Sequence, residues 1–463
     1  MFVNPKEKYR MNEKTKELAE LKVSRLMLKF FIPAFIGVFM NAMYNIVDRI
    51  FIGHGVGAIA LSAVSATFPV MLIVMGFGML IGIGAGVLVS INMGRRDMDK
   101  AERVLGSSLF LMLIVSVLIT IIGFAIKDPM LRSFGATAET IGYANDYLDI
   151  ILAGTIFQVV GFSLNNVIRA EGNARTAMFS MIISAGTNMI LNPIFIFGFG
   201  WGVKGSALAT LISMIILTLW VLWHFRSKKS VVKLKAEYIR FDRKIMFEVM
   251  AIGMSPFFMQ IANSVVQGLI NTKLIAFGGD LAVGAMGIVN SVVTLIVMTI
   301  VAVNMASQPI IGFNYGAKSF GRVKDTLRIS LISATGIAVV AFVFLQIFPE
   351  TIVRMFNSSD AELLAIGSEG LRLGLMALPF VGFQVVAGNY FQSIGKAKIA
   401  VLLTLLRQVF ILIPLLFILP YYFKLHGIWL SMPISDFCSG IIVSFFMVSH
   451  WKKLHLQVES QPA

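Results

Sequence analysis

Asp48 is the residue of this 463-residue chain whose placement most demands an explanation, because it sits within an apolar run long enough to cross a bilayer. A carboxylate near the membrane centre costs about 2.5 to 3.5 kcal/mol on insertion scales, so it needs a partner or a task. Asn41, Asn45 and Asp48 recur at i, i+4 and i+7, which puts them on one helix face with Tyr44 at its edge. Ser184, Asn188 and Asn192 repeat at i+4 in a later run, and Ser206, Thr210 and Ser213 follow at i, i+4 and i+7. Three such stripes could converge on a wet pocket. A single carboxylate among amides and hydroxyls can exchange a proton, or supply the charged oxygen of a Na⁺ shell that neutral oxygens complete. Taken singly, the hydroxyls and amides fit hydrogen bonding between helices equally well.

Ser264, Gln267 and Asn271 stand 223 positions after Asn41, Tyr44 and Asp48, so only the amino-terminal stripe is titratable. Arg407 lies nine residues beyond Lys398, and Asp436 ten beyond His426. Entering from opposite faces, each would reach about 15 Å deep. Similar depth on consecutive helices predicts a mutual ion pair, with a structural role favoured over a direct part in coupling or substrate binding. Arg49 points about 100° away from Asp48 around the helix and is expected to snorkel or pair locally.

Other chemistries are disfavoured. Asp146 and Asp149 form an Asp-x-x-Asp pair near a helix end without a second acidic cluster, so solvation at the helix end is expected rather than a metal site. The five histidines are scattered and show no metal-ligand spacing. The one cysteine, Cys438, excludes an intrachain disulfide and a cysteine metal cluster, and is expected to be a small buried hydrophobe. No nucleotide-binding Gly-x-x-x-x-Gly-Lys-Ser/Thr loop occurs. These absences predict a protein that is not an enzyme, with no cofactor and no bound metal.

The elements that hold these residues follow from composition. Hydrophobic residues make up 57% of the chain and charged ones 14%, too few polar groups to cover a water-soluble surface. Apolar runs of about twenty residues or more recur, too long for barrel strands, and lipid forces each to satisfy its backbone as a helix. The expected class is an all-α, polytopic membrane protein. Its 12 transmembrane helices are placed near 28–52, 59–92, 104–126, 141–170, 174–198, 203–225, 246–276, 281–313, 325–348, 361–393, 396–420 and 425–450. The polar stretch from Arg226 to Lys244 divides them into two six-helix lobes, 1–235 and 236–463.

A shift of about 222 residues superposes Pro33 on Pro256, Ala60 on Ala282, Gly94 on Gly316, Phe134 on Phe356 and Gly205 on Gly427. Six spans is an even number, so this repeat is parallel, and two pseudo-symmetric lobes suit alternating access. The net charge of +15 could suggest nucleic acid, but Lys and Arg collect in every second connection, starting with Lys6, Lys8, Arg10 and Lys14. That asymmetry predicts lipid rather than nucleic acid as the partner and places both termini in the cytoplasm of a cell-membrane protein. The first apolar run continues to Ile52, too far for a cleaved signal, so it is expected to be a retained span.

The chain resembles the multidrug and toxic compound extrusion (MATE) family, particularly its prokaryotic DinF-like branch. The likeness rests on Tyr44-Asn45-Ile46-Val47-Asp48 through Gly53, Ala60 to Val64 leading to Phe68-Pro69, Ile168 to Ala174, Asn188 to Gly198, and Gln308 to Gly316. It implies a two-lobed, twelve-helix antiporter that expels varied, often cationic organic compounds in exchange for H⁺ or Na⁺. In that branch the coupling positions match Asp48, Asn188, Asn192 and Thr210, with Tyr147 nearby. Asn192 stands where the pattern usually has a second aspartate, which weakens a Na⁺ site more than proton exchange and favours H⁺. Asn41, Tyr44, Asn45, Tyr147, Ser184, Gln267, Asn271, Arg407 and Asp436 are expected to line the cavity or support it, and some of the Met and Phe residues to give it an adaptable apolar wall. The resemblance also favours a monomer. Alternative readings are a flippase for lipid-linked saccharides, which would need several buried cations against a pyrophosphate and has only Arg407, and a specific metabolite exporter.

Overall fold

Apolar runs of this length have one way to bury their backbone polar groups, and a computed structural model of the chain shows the result. It describes residues 13–356 and 360–459; Lys6, Lys8 and Arg10 lie outside the described residues. No strand occurs among these residues. A short helix α1 (Glu13–Glu20) precedes α2 (Val23–Gly55), α3 (Ala58–Gly94), α4 (Met98–Ser133), α5 (Ile141–Ala153), α6 (Thr155–Ala170), α7 (Ala174–Pro193) and α8 (Gly202–Arg226). Asp97 caps α4 by accepting from the Lys100 amide at 3.0 Å. Pro193 ends the regular part of α7, and a wider π turn follows over Ile194–Gly198.

The described chain carries nine helices apolar and long enough to cross a membrane, and counting each of two bent pairs as one span gives eleven. The stretch Ala397–Glu459 is one of the nine but is broken at Lys424 (φ 50°, ψ −127°), which brings the number of spans to twelve. Gly279 makes a similar break in Arg243–Gly316. The bent pairs are α5 with α6, at 55°, and Ala361–Gly374 with Leu378–Ser393, at 51°. These are the fourth spans of the two halves.

The backbone records the repeat more sharply than the side chains do. Gly57 and Gly279, Arg96 and Lys318, and Gly202 and Lys424 are each 222 residues apart, and Gly172 and Gly395 are 223 apart; all eight have positive φ. The chain turns the same corners twice, even where the residue type differs.

By contacts the chain forms two units, one running to Phe257 with Gly312–Lys318, the other comprising Phe258–Ile311 and Ser319–Ala463. Residues 243–257 therefore pack with the first six spans, although they follow the polar linker. Glycine makes this possible: a Cβ on Gly253 would lie 1.7 Å from Leu80 O, and one on Gly84 would lie 2.0 Å from Val249 O. Likewise Gly94 abuts Phe313 O and Gly316 abuts Ile91 O. Cys438 is not the buried hydrophobe expected from its apolar run. It is exposed, beside the equally exposed Phe437 and Ile441, on a face of its helix that suits lipid.

Candidate functional site

α2, α7 and α8 bring the three polar stripes of the first half together inside the first unit. Asp48 is 8% exposed, and its Oδ1 accepts from Asn192 Nδ2 on α7 and from Ser206 Oγ on α8, the latter at 2.6 Å. Asn192 Nδ2 also lies 3.5 Å from Asn188 Oδ1, and Asn188 Nδ2 donates to Thr210 Oγ1 at 3.0 Å. Tyr147, on α5, is buried beside this group of residues. Asp48, Asn192, Asn188 and Thr210 thus form one chain of polar groups across three helices. Asn192 Oδ1 is buried and accepts no hydrogen bond, which leaves an amide oxygen beside the carboxylate with a lone pair to offer. Ile52, Ile151, Ile196, Val203 and Ala207 pack around Tyr147 as an apolar shell.

A cavity of about 110 Å³ adjoins this chain. Asn188 and Thr210 belong to both, and Asn41, Tyr44, Ser184 and Ser213 add polar groups to its wall. Met75, Met181, Met214 and Phe162 supply an adaptable apolar side. Ser184 Oγ donates to Ser213 O at 3.2 Å, tying α7 to α8 at the rim. Asn45 does not join: it is exposed, and its amide turns back to Asn41 O at 2.7 Å on its own helix. Arg49 likewise turns away, with its guanidinium 5.2 Å from the Phe68 ring centre.

Two contributors were not read from sequence, and a third was read only as a member of a stripe. Ser206 belongs to the α8 stripe, one turn before Thr210, yet it is the hydroxyl that reaches the carboxylate. Gln158 and Asn165 line the cavity from α6, and their i, i+7 spacing is the same signal that marks α2. Gln158 Oε1 is buried without a partner.

The second unit holds the other polar positions. Arg407 Nε lies 2.5 Å from Asp436 Oδ1, an ion pair by distance though not aligned as a hydrogen bond. Ser435 Oγ donates to Arg407 O at 2.7 Å, and Gln384 Nε2 to Asp436 O at 2.6 Å. Arg407 sits in a π turn, Leu406–Leu412, which widens the helix where the pair forms. Gln267 and Asn271 are half-buried in the second unit, whereas the Asp48 chain belongs to the first. Asp149 pairs with Lys127 at 2.5 Å and Asp146 with Lys204 at 3.3 Å, so the two carboxylates serve separate lysines. Among the described residues no three metal-ligating side chains cluster.

The MatE family model matches the chain twice, over residues 33–194 and 256–418, starting at the two repeat-related prolines. This chain belongs to the MATE family. Its lobed, twelve-helix architecture is that of solved MATE transporters. DinF-BH, a solved MATE multidrug transporter, is 37% identical with a TM-score of 0.89, the match covering 95% of this chain and 98% of that one. A MOP superfamily transporter from Pyrococcus furiosus is 25% identical, also with a TM-score of 0.89, over 96% of this chain and 99% of its own. Among curated relatives, the multidrug export protein MepA of Staphylococcus haemolyticus is 28% identical over 93% of this chain and 94% of its own length. MepA of Staphylococcus aureus is 28% identical over 89% and 91%. The chain is thus a multi-pass MATE transporter.

Proposed function

We propose that this MATE transporter is a secondary antiporter of the cell membrane that exports small organic, often cationic compounds in exchange for H⁺, with Asp48 as the coupling group. The observation that carries the reading is the buried Asp48 carboxylate, linked through Asn192, Asn188 and Thr210 to a cavity with both polar and methionine-rich walls. A cation that binds Asp48 more tightly in one lobe arrangement than in the other shifts the population between them, which is what alternating access requires. Asn192 brings an oxygen but no charge, which favours proton exchange over a Na⁺ shell. The multidrug relatives support drugs as cargo, and the mixed cavity wall suits varied apolar compounds. The distribution of Lys and Arg supports termini in the cytoplasm, and the MATE likeness supports a monomer.

Reconstitution into proteoliposomes tests this directly. An imposed pH gradient is expected to drive movement of an organic cation, a Na⁺ gradient much less. Asp48→Asn, inserted at wild-type level, is expected to lose gradient-driven transport. Full transport by that variant would overturn the role of Asp48, while transport driven by Na⁺ alone would overturn the proton.

A further inference from the structure

A second cavity, of about 360 Å³, opens in the first unit between α1, the start of α2, the start of α7 and the residues that follow α8. Its charge is one-sided: Lys14, Lys29, Arg175, Lys228 and Lys229 face a single lining carboxylate, Glu13. Lys29 is held by Glu17 at 2.7 Å. Arg175, Lys228 and Lys229 are exposed, and no carboxylate pairs with them among the described residues. Three unpaired cations gathered at one cavity, with Glu13 its one lining carboxylate among the described residues, repel one another, a cost that an anion would reduce.

The cavity is built rather than incidental. Glu171, 0% exposed, accepts from Ser230 Oγ and from the amides of Val231 and Val232, each at 3.0 Å, and pairs with His224 at 2.5 Å. Those bonds fix the segment that carries Lys228 and Lys229. Asn173 precedes α7 but does not cap it; its Nδ2 donates to Glu171 Oε1 at 2.7 Å instead. Ala174, Arg175 and Thr176 of the first turn of α7 line the cavity, and an α-helix leaves the amides of that turn without internal acceptors. Gly172, at φ +101°, makes the turn that lets α1 pass close by. Phe30 supplies an apolar wall, and the volume falls in the range of organic ligands rather than a bare ion.

We infer that this cavity binds a phosphate ester, with Arg175, Lys228, Lys229 and the first amides of α7 holding its anionic oxygens. The inference is independent of Asp48 and of the export reading. An anionic lipid headgroup and a soluble phosphate ester share this chemistry, and the experiment separates them.

The full-length protein in detergent would be titrated with phosphatidylglycerol, phosphatidylcholine and glycerol 3-phosphate, with binding followed by native mass spectrometry. Saturable binding of phosphatidylglycerol in preference to phosphatidylcholine supports a lipid source, and saturable binding of glycerol 3-phosphate a soluble one. In either case the triple variant Arg175→Gln, Lys228→Gln, Lys229→Gln is expected to bind about tenfold or more weakly. Arg95→Gln with Arg96→Gln, a basic pair outside the cavity, serves as control and is expected to bind as wild type. Lys228→Glu alone, at an exposed site, repeats the test with little risk to folding. Absence of saturable binding by either probe, or equal loss in cavity and control variants, would overturn the site.

Discussion

Ser206 Oγ and Asp48 Oδ1 lie 2.6 Å apart although 158 residues separate them in sequence. The bond ties α8 to α2 at the one buried carboxylate of the polar chain, and a hydroxyl there can donate to the charged form or turn to accept from the protonated one. Ser206→Ala removes that adaptability without removing the charge. Transport is expected to fall about ten- to a hundredfold, in line with about 1.5 to 3 kcal/mol for a hydrogen bond to a charged group. Initial rates in proteoliposomes, normalised to inserted protein, check it; an unchanged rate would make Ser206 a packing residue.

Asn192→Asp places a second carboxylate against the first. Two negative oxygens suit a metal cation better than a proton shared with an amide. The variant is expected to gain Na⁺-driven transport at the expense of proton-driven transport, read by comparing the two gradients on one preparation.

Arg407 and Asp436 make a different kind of prediction. Arg407→Ala leaves Asp436 buried without its partner, a change expected to cost about 3 to 5 kcal/mol, whereas replacing both by apolar residues of similar size is expected to restore most of the loss. Thermal unfolding in detergent measures both. Transport by a stable double variant would assign the pair to architecture rather than coupling.

Lys424 occupies the left-handed corner that Gly202 occupies in the first half. Lys424→Gly is expected to stabilise the protein by about 1 kcal/mol by relieving that conformation, and Gly202→Ala to destabilise it by a similar amount. A shift of melting temperature in opposite directions is the expected signature.

The spans were legible because the bilayer imposes them: the expected run 59–92 is α3 at Ala58–Gly94, and 203–225 is α8 at Gly202–Arg226. What composition does not encode is where a helix bends. Gly154 between α5 and α6 looks like any other membrane glycine, and only packing makes it a 55° corner. At the site, spacing placed Asn188, Asn192 and Thr210 on the faces that converge on Asp48. It could not tell that Asn45 would bond its own backbone, or that Ser206 rather than Thr210 would reach the carboxylate, because an i+4 stripe fixes a face and leaves depth and rotamer open.

Cys438 gives the experimenter an advantage the rest of the chain does not. It is the sole thiol in the sequence, and the face that exposes it suits lipid rather than water, so a charged thiol reagent added from the aqueous side is expected to pass it by. One cysteine added at a water-facing position then takes a charged label alone, on a protein otherwise wild type.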